Sequence, residues 1–150
     1  MENGLKEKLN ADIKDSLIRK DAEKLGVLRF LLSLLQSREI EKRGTGQAPV
    51  LSDEEIIEIF QREVKKRKEA IELFTKGDRP ELAEKETKEL VFINAYLPPL
   101  MSREEIAAVV SGLKATGLND FNSLMKEAAK ATKGRADGKM VSEIVREMVK

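Results

Sequence analysis

The residues whose types and spacing could do chemistry lie in the stretch KEAAKATKGRADGKMVSEIVR, from Lys126 to Arg146. A basic helical segment runs here into Gly134 and a short loop, and a second apolar-periodic segment follows. A helix beginning offers free backbone N–H groups and the positive end of the helix dipole, which both favour an anion. The cations closest to this beginning are Lys130, Lys133, Arg135 and Lys139. One interpretation is therefore a phosphate-binding loop.

A second interpretation of the same stretch needs no ligand. Gly134 would be the C-cap of one helix, Asp137 would be the N-cap of the next, and the lysines would form a solvated face of a helical bundle. On residue types alone this structural interpretation is favoured.

Most common catalytic apparatus is excluded by composition. The chain has no Cys and no His, so it has no thiolate nucleophile, no imidazole base and no site built on these metal ligands. No G-x-S-x-G motif occurs, and the glycines near Gly44 and Gly46 fit neither a P-loop nor a dinucleotide-binding turn. We expect no catalytic residues, no metal and no cofactor.

The overall charge is nearly balanced. The net charge is +1; residues 1–97 hold 19 basic and 20 acidic side chains, and residues 98–150 hold 9 and 7. Nucleic-acid binding, if present, must therefore be local. No apolar run approaches the roughly 20 residues of a membrane span, and the start MENGLKEKLNADIK has the pattern of an amphipathic helix and not of a signal peptide. These features predict no membrane contact and a cytoplasmic location.

Periodicity predicts an all-α fold. Apolar residues recur at helical spacing throughout, and the predicted helix beginnings are Asp21, Ser52, Asp78, Ser102, Asp120 and Asp137. Gly77, Gly117 and Gly134 are predicted to end helices. The consecutive prolines Pro98 and Pro99 interrupt helix geometry. They divide the chain into a predicted N-terminal helical domain, residues 1–97, and a predicted three-helix domain, residues 98–150.

One predicted helix contains the densest basic cluster of the chain. Arg67 lies on its apolar seam and must either extend to solvent or pair with a carboxylate. The remaining cluster members are Arg62, Lys65, Lys66 and Lys68. Interleaved glutamates favour i,i+4 ion pairs on a solvated face, and a nucleic-acid surface is the alternative.

Longer runs of the sequence resemble a known family. The runs are DAEKLGVLRFLLSLLQSREI, QREVKKRKEAIELFTKGDRPELAEKETKELVFINAYLPPLMSREEI and KGRADGKMVSEIVREM. They look like the YqeY family, which is similar to the tail domain of the GatB subunit of tRNA-dependent amidotransferases. The resemblance covers nearly the whole chain, and its most specific part is K-G-R-A-D-G-x-x-V-S.

The resemblance implies an all-α protein with N-terminal helical hairpins and a C-terminal three-helix bundle similar to the GatB tail. It implies a tRNA-binding accessory role in glutamine-dependent amidotransfer, which is carbon–nitrogen ligase chemistry, with tRNA or another structured RNA and an amidotransferase or aminoacyl-tRNA-handling protein as partners. The chain lacks the catalytic parts of that enzyme, so we expect no catalysis by the chain alone. A module that docks on a partner enzyme is the alternative. The tRNA-facing positions implied by the resemblance are Lys126, Lys130, Lys133, Gly134, Arg135, Asp137, Gly138 and Lys139.

Overall fold

A computed structural model of the chain describes residues 4–150. Over this range the secondary structure consists of seven helices and no strand, which confirms the all-α class. The chain divides into two compact units, Met1–Leu97 and Pro98–Lys150, and each is described separately. The first three residues of the predicted N-terminal amphipathic helix lie outside the described residues.

Four helices form the first unit. They are α1 (Leu5–Ile18), α2 (Ala22–Gly44), α3 (Asp53–Lys76) and α4 (Pro80–Asn94). α1 packs mainly against α2, and α3 packs mainly against α4. The core joins all four helices; its fully buried members include Leu9, Leu28, Leu31, Leu35, Ile56, Phe60 and Ile93.

Side-chain caps define two of these helix beginnings. The Asp21 carboxylate accepts a hydrogen bond from the Lys24 backbone N–H at 3.3 Å. Ser52 and Glu55 form the predicted capping box. Lys42 reaches from the last turn of α2 to the Glu55 carboxylate at 2.9 Å. The bond from Lys42 and the backbone bond from Ser52 hold the pKa of Glu55 below its usual value.

The α3–α4 connection differs from the prediction. α3 ends at Lys76 with Gly77 as its C-cap, as predicted, but Gly77 has a φ of −84°. The left-handed residue is Asp78, with a φ of 57°. Asp78 does not cap α4, whose N-cap is Arg79 without a side-chain hydrogen bond, followed by Pro80. Asp tolerates the left-handed region better than most side chains because its short polar group can hydrogen-bond locally.

Arg67 pairs with carboxylates and does not extend to solvent, so the second of its two predicted arrangements is the one observed. Its guanidinium lies 2.9 Å from Glu63 on α3, and 3.1 and 2.8 Å from Glu86 and Glu89 on α4. The guanidinium carbon also lies 5.6 Å from the centre of the Phe30 ring on α2. Only 12% of the Arg67 side chain is exposed, so this polar cluster joins three helices inside the first unit.

The other four cations of the basic cluster contradict the favoured interpretation. Arg62, Lys65, Lys66 and Lys68 are exposed, and none of their side chains makes an ion pair with residues 4–150. The predicted i,i+4 pairing on the solvated face is wrong for these four residues. It holds for the fifth cation of the cluster, because Glu63 and Arg67 form an i,i+4 pair.

Tyr96 ties the end of α4 to α1. Its hydroxyl donates a hydrogen bond to the Asp12 carboxylate, and its ring meets Phe60 edge-on at a centroid distance of 5.9 Å. The Lys8 ammonium lies 5.0 Å from the centre of the same ring. Burial, and then the bond to Asp12 and its charge, raise the pKa of Tyr96.

Three helices form the second unit: α5 (Arg103–Ala115), α6 (Phe121–Ala131) and α7 (Gly138–Met148). Each packs against the other two around a core of Ile106, Val110, Leu124, Ala128, Val141, Ile144 and Val145. Ser102 and Asp120 cap α5 and α6 through bonds from Glu105 and Ser123 backbone N–H groups, at 3.1 and 2.9 Å. Among residues 4–150, no helix has the length and apolarity that a membrane span requires.

Candidate nucleic-acid interface

The candidate interface is built on the loop between α6 and α7, residues 132–137. α6 ends at Ala131, three residues before Gly134, so the predicted helix end at Gly134 is wrong. Thr132 is the C-cap, and its hydroxyl donates a 2.8 Å bond to the Ala128 carbonyl. Thr132 is only 2% exposed. This buried threonine fixes the point at which the chain leaves α6.

Gly134 shapes the turn that follows. The Arg135 backbone N–H donates to the Thr132 carbonyl at 2.9 Å, which closes a four-residue turn with Lys133 and Gly134 in its centre. Gly134 has a φ of 80°, the conformation that the third position of a type II turn requires. The glycine is therefore needed for the turn itself and not for the helix end.

Two further contacts hold the loop on the bundle. The Arg135 carbonyl accepts a 2.6 Å bond from the Met101 backbone N–H, and Ala136 packs against the core of the second unit. The loop backbone is thus bonded on both sides of the turn. The side chains of Lys133 and Arg135 are exposed, so their cationic groups extend from an anchored backbone.

Asp137 is the N-cap of α7, as predicted. Its carboxylate accepts a 3.1 Å bond from the Lys139 backbone N–H. The carboxylate also places a negative charge beside the helix beginning, which offsets part of the attraction of the helix dipole for another anion. Attraction for a phosphate must therefore come mainly from the neighbouring cations.

Gly138 is the first residue of α7 and has no structural need to be glycine. It is exposed, it lies in helical conformation, and a Cβ added there would have no atom within 4 Å. An alanine would fit without strain and with better helix propensity. The open space beside this backbone is available to a ligand.

All five cations of the candidate set are exposed: Lys126, Lys130, Lys133, Arg135 and Lys139. Lys130 pairs with Glu127 at 3.5 Å, with both side chains largely in solvent, which is a weak interaction. Within the described part of the chain, the charged groups of Lys126, Arg135 and Lys139 make no ion pair or hydrogen bond. The predicted residues thus lie on α6, on the loop that follows it and on the first turn of α7.

The rest of the second unit uses its charges internally. Arg103 reaches Glu147 at 3.0 Å, and the Lys114 ammonium donates to the Met148 carbonyl at the end of α7. Arg146 lies 5.6 Å from the centre of the Phe121 ring. Arg103, Lys114 and Arg146 therefore make contacts within the bundle, whereas Arg135 on the α6–α7 loop and Lys139 after it make no ion pair with residues 4–150. In residues 4–150 no group of three or more acidic residues is arranged to hold a metal ion.

Comparison with known proteins identifies the family. The model of the family described as "Yqey-like protein" matches residues 6–149, so the chain belongs to the YqeY family. The resemblance inferred from the sequence is confirmed.

Curated relatives carry the name altered inheritance of mitochondria protein 41, mitochondrial. The relative from Lachancea thermotolerans is 34% identical over 107 residues, which cover 70% of this chain and 55% of the relative. The relative from Eremothecium gossypii is 33% identical over 102 residues, which cover 67% of this chain and 54% of that relative. The relative from Pyrenophora tritici-repentis is 27% identical over 154 residues, covering 99% and 82%. The chain thus spans about half the length of the first two relatives.

The predicted cytoplasmic location is contradicted, because these relatives are named as mitochondrial proteins. The prediction rested on composition and on the pattern of the first residues. The composition of folded helical units does not indicate a cellular compartment, because targeting signals are separate segments.

Proposed function

We propose that this protein binds the phosphate backbone of tRNA or a related structured RNA through the α6–α7 loop. The observation that supports the proposal is a group of exposed cations that make no ion pair within residues 4–150, Lys126 on α6, Arg135 on the loop and Lys139 at the start of α7. The backbone of the loop between them is bonded on both sides of Gly134. Phosphate contacts of this kind position an RNA without reading its sequence. The role is non-catalytic, and the family resemblance to the GatB tail makes an amidotransferase or another aminoacyl-tRNA enzyme the partner we expect.

The first test measures binding of the full chain to a tRNA transcript at several salt concentrations. The variant Lys126→Gln, Arg135→Gln, Lys139→Gln removes three cations. A control variant, Lys14→Gln, Lys76→Gln, Lys85→Gln, removes three exposed lysines from other helices. Each phosphate contact contributes about −0.7 to −0.9 to the slope of log K against log salt. We expect the first variant to reduce the slope by about 2 to 3, and the control to retain it.

The variants should fold normally, because exposed charges contribute little to stability. An unchanged slope in the loop variant, with unchanged melting, contradicts the proposed site. Binding of the tRNA by the unchanged chain that does not depend on salt would contradict recognition through phosphate contacts.

The second test uses Gly138→Ala. Its Cβ has open space in the protein, so we expect stability to be equal or slightly higher. If a phosphate approaches this backbone, the methyl group will weaken RNA binding while the melting temperature is retained. Unchanged binding would limit the contacts to the side chains.

A further inference from the structure

A second cationic surface lies in the first unit, on α3. Arg62 and Lys66 are four residues apart, so they are neighbours on one helix face, and Lys65 lies beside them. All three are exposed and none has an ion-pair partner in residues 4–150. Unpaired cations on adjacent positions repel one another, an arrangement that a bound anion would relieve.

This face borders a groove between α2 and α3. One end of the groove, of about 220 Å³, is lined by Leu34, Ser37, Arg38, Glu41, Ile59, Arg62, Glu63 and Lys66. We call this end the cationic groove. Its lining includes two apolar residues, Leu34 and Ile59, together with the Ser37 hydroxyl and three cations.

The acidic residues of the cationic groove have partners of their own. Arg38 pairs with Glu41 at 3.3 Å, and Arg67, behind the groove, pairs with Glu63 at 2.9 Å. Arg62 and Lys66 make no ion pair within residues 4–150. The groove therefore offers the donors that bind a phosphate: two cations without an ion-pair partner in residues 4–150, and the Ser37 hydroxyl.

The adjoining end of the groove is less favourable for an anion. It is lined by Arg38, Glu41, Glu55, Glu58, Ile59 and Arg62, so it contains three carboxylates and two cations. Glu55 is bonded to Lys42. An anion is therefore expected beside Arg62 and Lys66 and not beside Glu58.

We propose that the cationic groove holds a phosphate group of the RNA backbone, so that the first unit as well as the α6–α7 loop contacts the RNA. This inference rests on the proposed function. A nucleic-acid backbone suits the surface because Lys65, one turn from Arg62 on the same side of α3, adds an exposed cation outside the groove lining, where a single small anion would leave it unused. Two weak contacts with one ligand reinforce each other, because the second binding step is intramolecular.

The test uses the full chain, a tRNA transcript and the variant Arg62→Gln, Lys66→Gln. The matched control Lys14→Gln, Lys85→Gln removes two exposed lysines from α1 and α4. We expect the groove variant to reduce the salt slope of binding by about 1.4 to 1.8 and the control to leave it unchanged. The charge-preserving variant Arg62→Lys, Lys66→Arg should retain most of the slope, which a purely structural role would not explain.

The result is read together with the loop variant. If only the loop variant weakens binding, the cationic groove is not an RNA site and the proposed function stands. If only the groove variant weakens binding, the proposed loop site fails and the groove remains. If the unchanged chain does not bind the transcript, both fail. A groove variant that loses binding of inorganic phosphate but retains tRNA binding would assign the groove to a small phosphate ligand and overturn the RNA inference.

Discussion

The Arg67 cluster gives a sharp prediction about the stability of the first unit. Arg67→Met keeps much of the length and the apolar stem of the side chain but removes the guanidinium. The change leaves Glu63, Glu86 and Glu89 facing one another without a countercharge; their side chains are only 10%, 23% and 20% exposed. It also removes the cation from the face of the Phe30 ring.

The expected magnitude follows from the burial of the cluster. Removing one partner of a buried ion pair costs about 3 to 5 kcal/mol, because the remaining charges stay desolvated. Partial exposure of Glu86 and Glu89 lets water and side-chain movement recover some of this cost. We therefore expect the free energy of unfolding to fall by about 2 to 4 kcal/mol, a shift of roughly 8 to 30 °C in the melting temperature of a unit of this size.

The pKa of Arg67 agrees with this reasoning. Burial alone would lower the pKa, but hydrogen bonds and charges from Glu89, Glu86 and Glu63 outweigh it, and the pKa is raised. The charged form is thus stabilised by the cluster as a whole. Replacing two of the glutamates as well, in Arg67→Met, Glu63→Gln, Glu89→Gln, should recover more than half of the lost stability because most of the repulsion disappears.

Denaturant unfolding followed by circular dichroism measures these effects. The control is Arg19→Met, which breaks an exposed i,i+4 pair with Asp15 and should change the free energy of unfolding by less than about 0.5 kcal/mol. An Arg67→Met variant that matches this control would refute the view that the cluster holds α2, α3 and α4 together.

Two other predictions concern Tyr96 and Gly134. Tyr96 is the only tyrosine and the chain has no tryptophan, so phenolate absorbance reports on Tyr96 alone. Burial and Asp12 raise the pKa of Tyr96. The folded protein should therefore show no phenolate near pH 10. Stability should fall as the pH rises above about 10, where only the unfolded tyrosine ionises, and Tyr96→Phe should lack this dependence and lose about 1.5 to 3 kcal/mol at neutral pH. Gly134→Val should destabilise the second unit by about 1 to 2 kcal/mol and Gly134→Asn by clearly less, because Asn tolerates a positive φ; equal melting temperatures of the two variants would contradict a turn that depends on Gly134.

The helix beginnings that a side chain caps were predictable because their signals are local, whereas α4, which has no side-chain cap, was the exception. Ser52, Asp120 and Asp137 each accept a bond from a backbone N–H two or three residues ahead, so type and spacing suffice to identify them. Helix ends were less predictable. The end of α6 depends on Thr132, whose hydroxyl bonds back to the Ala128 carbonyl in a buried position, and a sequence does not reveal that burial.

The partners of charged residues were the least predictable feature. Glu86 and Glu89 lie 19 and 22 residues from Arg67, so only the packing of α3 on α4 brings them together. The i,i+4 rule accounts for the Glu63–Arg67 pair, but it does not account for Arg62, Lys65, Lys66 and Lys68, which make no ion pair within residues 4–150. The exposure of the loop cations could be expected from the sequence, but the bond between Met101 and Arg135 that anchors the loop could not. Independent folding of residues 1–97 and 98–150 stays a prediction.

Charge segregation explains how a nearly neutral chain can present cationic surfaces. In the first unit, α3 turns Glu63 toward Arg67 and leaves Arg62, Lys65, Lys66 and Lys68 on its exposed face. In the second unit, Asp137 caps α7, and the neighbouring Arg135 and Lys139 make no ion pair with any residue from 4 to 150. Exposed charges are screened beyond about 8 Å at physiological salt, so a phosphate responds to these local cations and hardly to the net charge of +1. Because each surface offers only a few contacts, each unit alone should bind RNA weakly, and affinity should depend on both surfaces engaging the same molecule.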